Sequence, residues 1–470
     1  MKTKQIAYIL VAVVLLTLNV SCEKWLDVQP NSQVKSSELL STEQGYKEAL
    51  AGIYTLLTDN SLYGKELTYG MHGVLSHEWK NYPLAYADDA QYDYETTLSQ
   101  GRIEGIWSKM YNAISNTNYL LQNIDNSQVF SGKNYEIIKG EALALRGFIH
   151  FDLLRNFGVS YVLNPNQQAI PYVTQYSAKQ TAQSTVQVVI EKIIEDLKAA
   201  KELLKYDPIY TGEVINEFND NGYLLNRQLH LNYYAVEALL ARIYLYIGKY
   251  DLAEIAANNV IQANKFAFVS QASFASGVDP SGASEQIFGL QLNTLSLNNT
   301  NFLSDEGTTT FSLDQASKSL YISSTDDYRS YLFINGTTTN TLNNIYTLKY
   351  AKTTDDSYYI NKIPIIKLSE MYLILAESLW SQDKDPLLVL NRQRNARGLS
   401  SLTVLPTDVR TLFTNEYRIE FLAEGQLFYY YKRINQEIIH GSTTNLVNSK
   451  GYTFPIPPNE TTSADRQPNR

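Results

Sequence analysis

The sequence holds one cysteine in 470 residues. That excludes an intramolecular disulfide framework and every metal or iron–sulfur centre built from several thiolates. Histidine is scarce as well, with five copies: His72, His77, His150, His230 and His440. None sits in a His-Glu-x-x-His arrangement, so the commonest zinc-protease helix is missing. Gly-x-Ser-x-Gly elbow, P-loop and dinucleotide fingerprint are absent too. There is no basic excess, since 39 Lys and Arg face 48 Asp and Glu for a net charge of −9. A chain that must grip phosphates usually carries a basic stripe, so nucleic acid and a polybasic membrane contact are both disfavoured. Beyond the N-terminus no segment approaches 18 continuous apolar residues, and nothing there reads as a membrane span.

Tyrosine is plentiful. There are 36 against 16 Phe. Its ring is apolar and its tip polar, which suits half-buried helix seams and recognition surfaces alike. At 44% hydrophobic residues the chain can bury a sizeable core. Its length equals about three domains of roughly 150 residues, or one large domain or repeat array.

The N-terminus reads as an address. Lys2 and Lys4 precede an almost uninterrupted apolar run from Ile6 to Leu18, and Val20 and Ser21 lead to Cys22. Positive, apolar, small and cleaved is the order of a secretory signal over residues 1–21. The run falls short of the roughly 20 residues a helix needs to span a bilayer. The only cysteine stands at the expected cut. Leu18-Asn19-Val20-Ser21-Cys22 resembles a bacterial lipoprotein box, with Asn19 where leucine is commonest. On that reading Cys22 is acylated, each chain contributing about 0.8 kcal/mol per buried methylene. Residues 22–40 then form a polar, lipidated tether.

Apolar spacing of three and four predicts helices over residues 42–57, 103–124, 135–157 and 185–204, a pair within 229–264, then 363–380, 386–398 and 408–435. Residues 59–101 and 265–360 lose that period and read as loops with short strands. The helical scaffold thus covers about 42–264 and 361–435, within one domain over 41–470. The prolines of Tyr452-Thr453-Phe454-Pro455-Ile456-Pro457-Pro458 forbid a helix there, so that stretch should lie extended over the body.

One helix pair has a repeat shape. Leu240, Ala241, Tyr244, Gly248, Tyr250 and Ala253 match tetratricopeptide spacing. Small Ala241 and Ala253 let the helices approach, while Gly248 permits the turn. A weaker copy runs Leu375, Ala376, Leu379 and Leu388, and residues 141–158 hold a degenerate third. Plain antiparallel hairpins explain the weaker copies equally well.

No catalytic constellation emerges, and neither a metal nor a cofactor is expected. Glu217, Asn219, Asn221 and Gly222 loosely follow a calcium loop, but Gln228 stands where a bidentate Glu belongs, so a polar turn is the better reading. Asp88 and Asp89, near Asp93 and Glu95, read as a solvated acidic loop. Glu416, Glu420 and Glu424 recur at four-residue intervals and point to ion pairing between helices. The most distinctive chemistry is aromatic. Trp79, Tyr82, Tyr86, Tyr92 and Tyr94 crowd one loop beside Asn81, Asp88, Asp89 and Gln91. Flat rings beside amides and carboxylates suit sugar faces or extended peptides, and loops usually carry binding residues. The candidate ligand set is Trp79, Tyr82, Tyr86, Asp88 and Tyr92. The competing account is that the rings only plug the loop onto the helices.

Several blocks in order resemble the SusD/RagB family of nutrient-binding outer-membrane lipoproteins. They are Ser21-Cys22-Glu23-Lys24-Trp25-Leu26-Asp27, Ala49-Leu50-Ala51-Gly52-Ile53-Tyr54, Glu141-Ala142-Leu143-Ala144-Leu145-Arg146-Gly147-Phe148 and Ala238-Leu239-Leu240-Ala241-Arg242-Ile243-Tyr244. Leu368-Ser369-Glu370-Met371-Tyr372 through Glu377, Leu390-Asn391-Arg392 through Gly398, Glu416-Tyr417-Arg418 through Gly425 and Phe454-Pro455-Ile456-Pro457 follow. Gln426 departs from the pattern, standing where the family usually has a basic residue. The resemblance implies a mainly α, SusD-like fold, with tetratricopeptide-like helix pairs packed against an irregular loop-rich half with short strands. It also implies a lipid-anchored, cell-surface outer-membrane protein. Such a protein passes oligosaccharide, or in some members peptide, to a SusC-like TonB-dependent transporter and does no chemistry. A lipid-anchored glycan hydrolase and a structural assembly protein are the rival classes.

Overall fold

The computed structural model describes residues 36–322, 324–351, 359–463 and 466–470. The expected signal segment, Cys22 and most of the expected tether lie outside these residues. The fold is mainly helical, with few and short strands.

Helix α1 (Glu43–Leu57) opens where Thr42 Oγ1 accepts from the Gly45 amide at 3.1 Å, and Tyr46, Leu50, Ile53, Tyr54 and Leu57 form its buried stripe. Helix α2 (Thr97–Ile124) begins six residues before the apolar period does, because the Thr96 side chain caps it. Helix α3 (Asn134–Phe157) lies against α4 (Val186–Leu203), which Thr185 caps. Between them runs a small ribbon of β1 (Gln168–Pro171) and β2 (Gln183–Thr185). Glu141 on α3 is buried and receives Arg227 at 2.6 Å, His230 at 2.9 Å and the Tyr54 hydroxyl at 3.0 Å.

The repeat-like pair is present as α5 (Tyr233–Tyr246) and α6 (Tyr250–Gln262). Gly248 turns between them at φ +72°, a left-handed conformation that favours glycine. Ala241 and Ala253 are fully buried in the seam. The second hairpin is α7 (Leu368–Trp380) and α8 (Leu387–Ala396), packed beside α6. Its expected seam residue is corrected: Leu388 is 84% exposed, and Leu390 is the buried one.

Two helix predictions are revised. Residues 362–367 form a strand, β6 (Lys362–Lys367), antiparallel to β3 (Gln286–Gln291), with β4 (Phe333–Asn335) and β5 (Ile345–Thr347) forming a separate pair. Residues 408–435 are two helices, α9 (Val409–Glu420) and α10 (Gln426–Arg433). The break holds Ala423 at φ +63° and Gly425 at φ +71°. Gly425 approaches another segment so closely that a Cβ there would sit 2.0 Å from the Leu67 carbonyl oxygen.

Charge joins the loop-rich half to the helices. Arg397 Nη1 reaches Glu285 at 2.5 Å and its Nη2 reaches Glu420 at 2.8 Å. Arg329 also pairs with Glu420, and Lys349 and Lys367 both contact Glu424. Arg394 reaches Glu416 at 3.1 Å, so the three spaced glutamates do serve ion pairing between elements.

The last turn of α3 is completed from far along the chain. Buried Lys432 donates to the carbonyls of Arg155 at 2.6 Å and Gly158 at 2.5 Å. The Phe454 amide donates to Asn156, and Asn469 donates to Phe157. Residues 452–457 lie outside any helix, as expected, but Pro458 is corrected: it opens the short helix Pro458–Ser463, a position that proline tolerates because a helix's first amide has no partner within it. Among the described residues no helix is long and apolar enough to cross a membrane.

Candidate functional site

The aromatic loop follows the short helix Met71–Leu75. All its Trp and Tyr rings but that of Tyr82 are buried. Trp79 is 5% exposed, its Nε1 donates to the Tyr69 carbonyl at 2.8 Å, and its ring lies 5.8 Å from that of Phe311. Tyr86 meets the same Phe311 edge-on at 5.3 Å, and its hydroxyl donates to Glu66 at 2.8 Å. Arg102 stacks over the Tyr86 ring at 4.3 Å. Tyr92 turns the other way, with its hydroxyl donating to the Leu75 carbonyl at 2.9 Å. Tyr94 is sealed against Phe454.

Trp79, Tyr86 and Tyr92 are therefore corrected as ligand residues. Each has spent its ring on the core and its polar atom on the protein, so neither face is open to a sugar. The acidic cluster is corrected in part: Asp89 is buried, paired with Arg102 and hydrogen-bonded by Ser99 at 2.5 Å. Among the described residues no group of three or more His, Cys, Asp or Glu side chains is placed to hold a metal. The loose calcium loop is a turn whose Asp220 serves Lys47 and Asn134.

The loop's outer rim carries Lys80, Asn81, half-buried Tyr82, exposed Leu84 and half-buried Asp88. The rim is held from the loop-rich half. The Lys80 and Asn81 amides both donate to the Ser312 carbonyl, and the Ser312 amide donates to the Asn81 carbonyl. Asn81 Nδ2 donates at 3.1 Å both to Ser312 Oγ and to Asn344 Oδ1. Amides, a hydroxyl and a phenol ring thus share one edge. Asn344 and Ser312 had no sequence signal, being more than 230 positions from Asn81.

Behind the rim lies Glu78. Burial raises its carboxyl to about 8, although the Ala423 amide and Lys349 work against that. Its Oε2 accepts from Ala423 at 3.0 Å and its Oε1 has no partner. Far from this edge, an open groove of about 560 Å³ runs beside α2 and α3. It is lined by Gln122, Asp125, Lys139, Arg146 and Gln175, and Tyr176 there is 52% exposed with its ring edge-on to Tyr119.

A family model described as starch-binding associating with outer membrane, in the SusD-like class, matches residues 24–245. Over most of the chain the fold coincides with a SusD superfamily protein of Bacteroides thetaiotaomicron, at TM-score 0.72 and 23% identity, covering 91% of this chain and 100% of that one. The chain is thus similar to SusD-like proteins, in sequence over residues 24–245 and in fold over most of its length. A SusD superfamily protein of Bacteroides vulgatus gives TM-score 0.73 at 20% identity, over 91% and 98% of the two chains. A laminarin binding SusD-like protein gives 0.67 at 17%, over 91% and 99%. Two SusD-like proteins of Formosa agariphila are 24% and 23% identical to this one over 161 and 259 residues. Those matches cover 33% and 55% of this chain, and only 31% and 46% of the two relatives. The rim Lys80–Asp88 falls inside the residues that the family model matches.

Proposed function

We propose that this protein is a SusD-like, glycan-binding lipoprotein of the outer membrane. It is anchored through Cys22, faces the cell exterior, and delivers oligosaccharide to a SusC-like TonB-dependent transporter without transforming it. The family description and the laminarin-binding structural relative support the ligand class. The observation that carries the site is the rim: Asn81, Tyr82 and Asp88 stand at the surface on a loop whose buried rings hold it still. Amide and carboxylate groups bind sugar hydroxyls, and the half-open Tyr82 ring offers an apolar face. Residues 41–470 act as one domain in this reading.

Calorimetric titration of a glycan panel tests it. Tyr82→Ala should weaken binding by roughly tenfold or more, an anchor's typical cost, with the melt intact. Full binding by Tyr82→Ala together with loss in Tyr176→Ala would move the site to the open groove. Binding of a peptide library with none of the glycans would replace the ligand class, and new reducing ends in the mixture would make the protein a hydrolase. Fatty-acid labelling that persists in Cys22→Ala would refute the anchor.

A further inference from the structure

A cavity of about 40 Å³ lies where α3, α5, α7, α9 and α10 converge. Its wall includes Phe151, Arg155, Arg242, Glu370, Tyr417 and Arg433. Three guanidinium groups therefore face one carboxylate. The acids that balance Arg155 and Arg433, Asp152 and Glu377, stand outside the wall. Arg242 spends Nε and Nη2 on Glu370 and the Ile365 carbonyl, each within 2.7 Å. Its Nη1 has no partner, and neither has the Tyr417 hydroxyl. Both side chains are more than nine-tenths buried. A buried donor left unmade costs about 1–3 kcal/mol, more when it is charged, so these two, with the Tyr246 hydroxyl on the same wall also unpartnered, call for an occupant.

We propose that this cavity is a binding site for one small monovalent anion of halide size, held by Arg242 Nη1 and the Tyr417 hydroxyl. Arg242 Nη1 can only donate and belongs to a cation, so the occupant must accept from it, and the Tyr417 hydroxyl can donate to the same atom. Room for an occupant is limited, because one water already needs about 10–15 Å³ of such space. The anion joins α5 to α9 at the point where five helices converge. It is a structural ligand, separate from the proposed glycan rim, and neither reading depends on the other.

Crystals of the whole protein grown in sodium bromide decide it. The expected result is an anomalous bromide peak inside the cavity, within hydrogen-bond reach of Arg242 Nη1 and the Tyr417 hydroxyl. A higher melting midpoint in sodium bromide or chloride than in sodium gluconate at equal ionic strength should accompany it, since a ligand that binds only the folded state raises its stability. Tyr417→Phe keeps the ring and removes the hydroxyl, so it should lose most of the halide-dependent shift. Ordered water without an anomalous peak, bromide confined to the surface, or equal midpoints in halide and gluconate would overturn the site. The wild-type crystal gives its answer even if the variant does not fold.

Discussion

Arg242 and Glu370 form a bidentate ion pair, Nε to Oε1 and Nη2 to Oε2, both at 2.6 Å. One comes from Ala238-Leu239-Leu240-Ala241-Arg242 on α5 and the other from Leu368-Ser369-Glu370 on α7. Two of the blocks that mark the sequence are thus two sides of one buried contact. Removing one partner strands a charge in the core, and Glu370→Gln should cost about 3–5 kcal/mol in urea unfolding. The double change Arg242→Met with Glu370→Leu should recover much of that loss. A double variant as unstable as the single one would mean the pair is more than locally balanced.

Ala253 sets the spacing of the repeat-like hairpin. Ala253→Leu should overpack the α5–α6 seam and lower stability by about 1–3 kcal/mol. An unchanged melting midpoint would show that the helices have room to spare.

Trp79 belongs to the core and Tyr82 to the rim, so their truncations should separate. Trp79→Ala should cost about 3–5 kcal/mol of stability, the usual price of emptying a buried Trp site. Tyr82→Ala should shift the midpoint far less. Equal thermal losses would place both rings in the core.

Glu78 makes stability depend on pH in an identifiable direction. Its folded carboxyl sits at about 8, above the usual value near 4.3. Across that window the folded protein keeps a proton that the unfolded chain has released. Its contribution is present below about pH 4.3 and is lost as pH rises, at up to about 1.4 kcal/mol per pH unit. Glu78→Gln mimics the protonated acid. The variant should therefore gain on wild type as pH climbs from 5 to 8, measured by denaturant melts at several pH values. A constant difference across that range would mean the carboxyl is ionised in the fold.

Gly425 stands at φ +71° against the Leu67 carbonyl. Gly425→Ala should destabilise by more than about 1 kcal/mol, because strain and a backbone clash act together. A neutral result in a thermal melt would require the Leu67 loop to move aside at no cost.

Local patterns revealed what local physics decides. Thr42 and Thr185 announce their helices because a hydroxyl caps within three residues. Ala241, Gly248 and Ala253 announce a hairpin because its seam is built from neighbours in sequence. The helix expected from residue 363 gives way to a strand over 362–367 because Ile363, Ile365 and Ile366 satisfy the helical and strand periods alike over so short a run. The break after Glu420 was hidden because its causes, Leu67 and Glu78, lie about 350 positions away. The aromatic loop could be recognised as a loop, but not its inward turn. Trp79 and Tyr86 are claimed by Phe311, and only the folded chain brings that residue near. The rim partners Ser312 and Asn344 were invisible for the same reason.

The end of α3 has a temporal meaning. Its final carbonyls wait for Lys432, Phe454 and Asn469. At roughly 5–20 residues per second, synthesis reaches Asn469 about 15–60 s after Phe157 has been made. Until each of those residues has been made, the carbonyl that it serves in the folded protein lacks that partner. The end of α3 is therefore sealed in the folded protein only by residues 277 to 312 positions further along the chain.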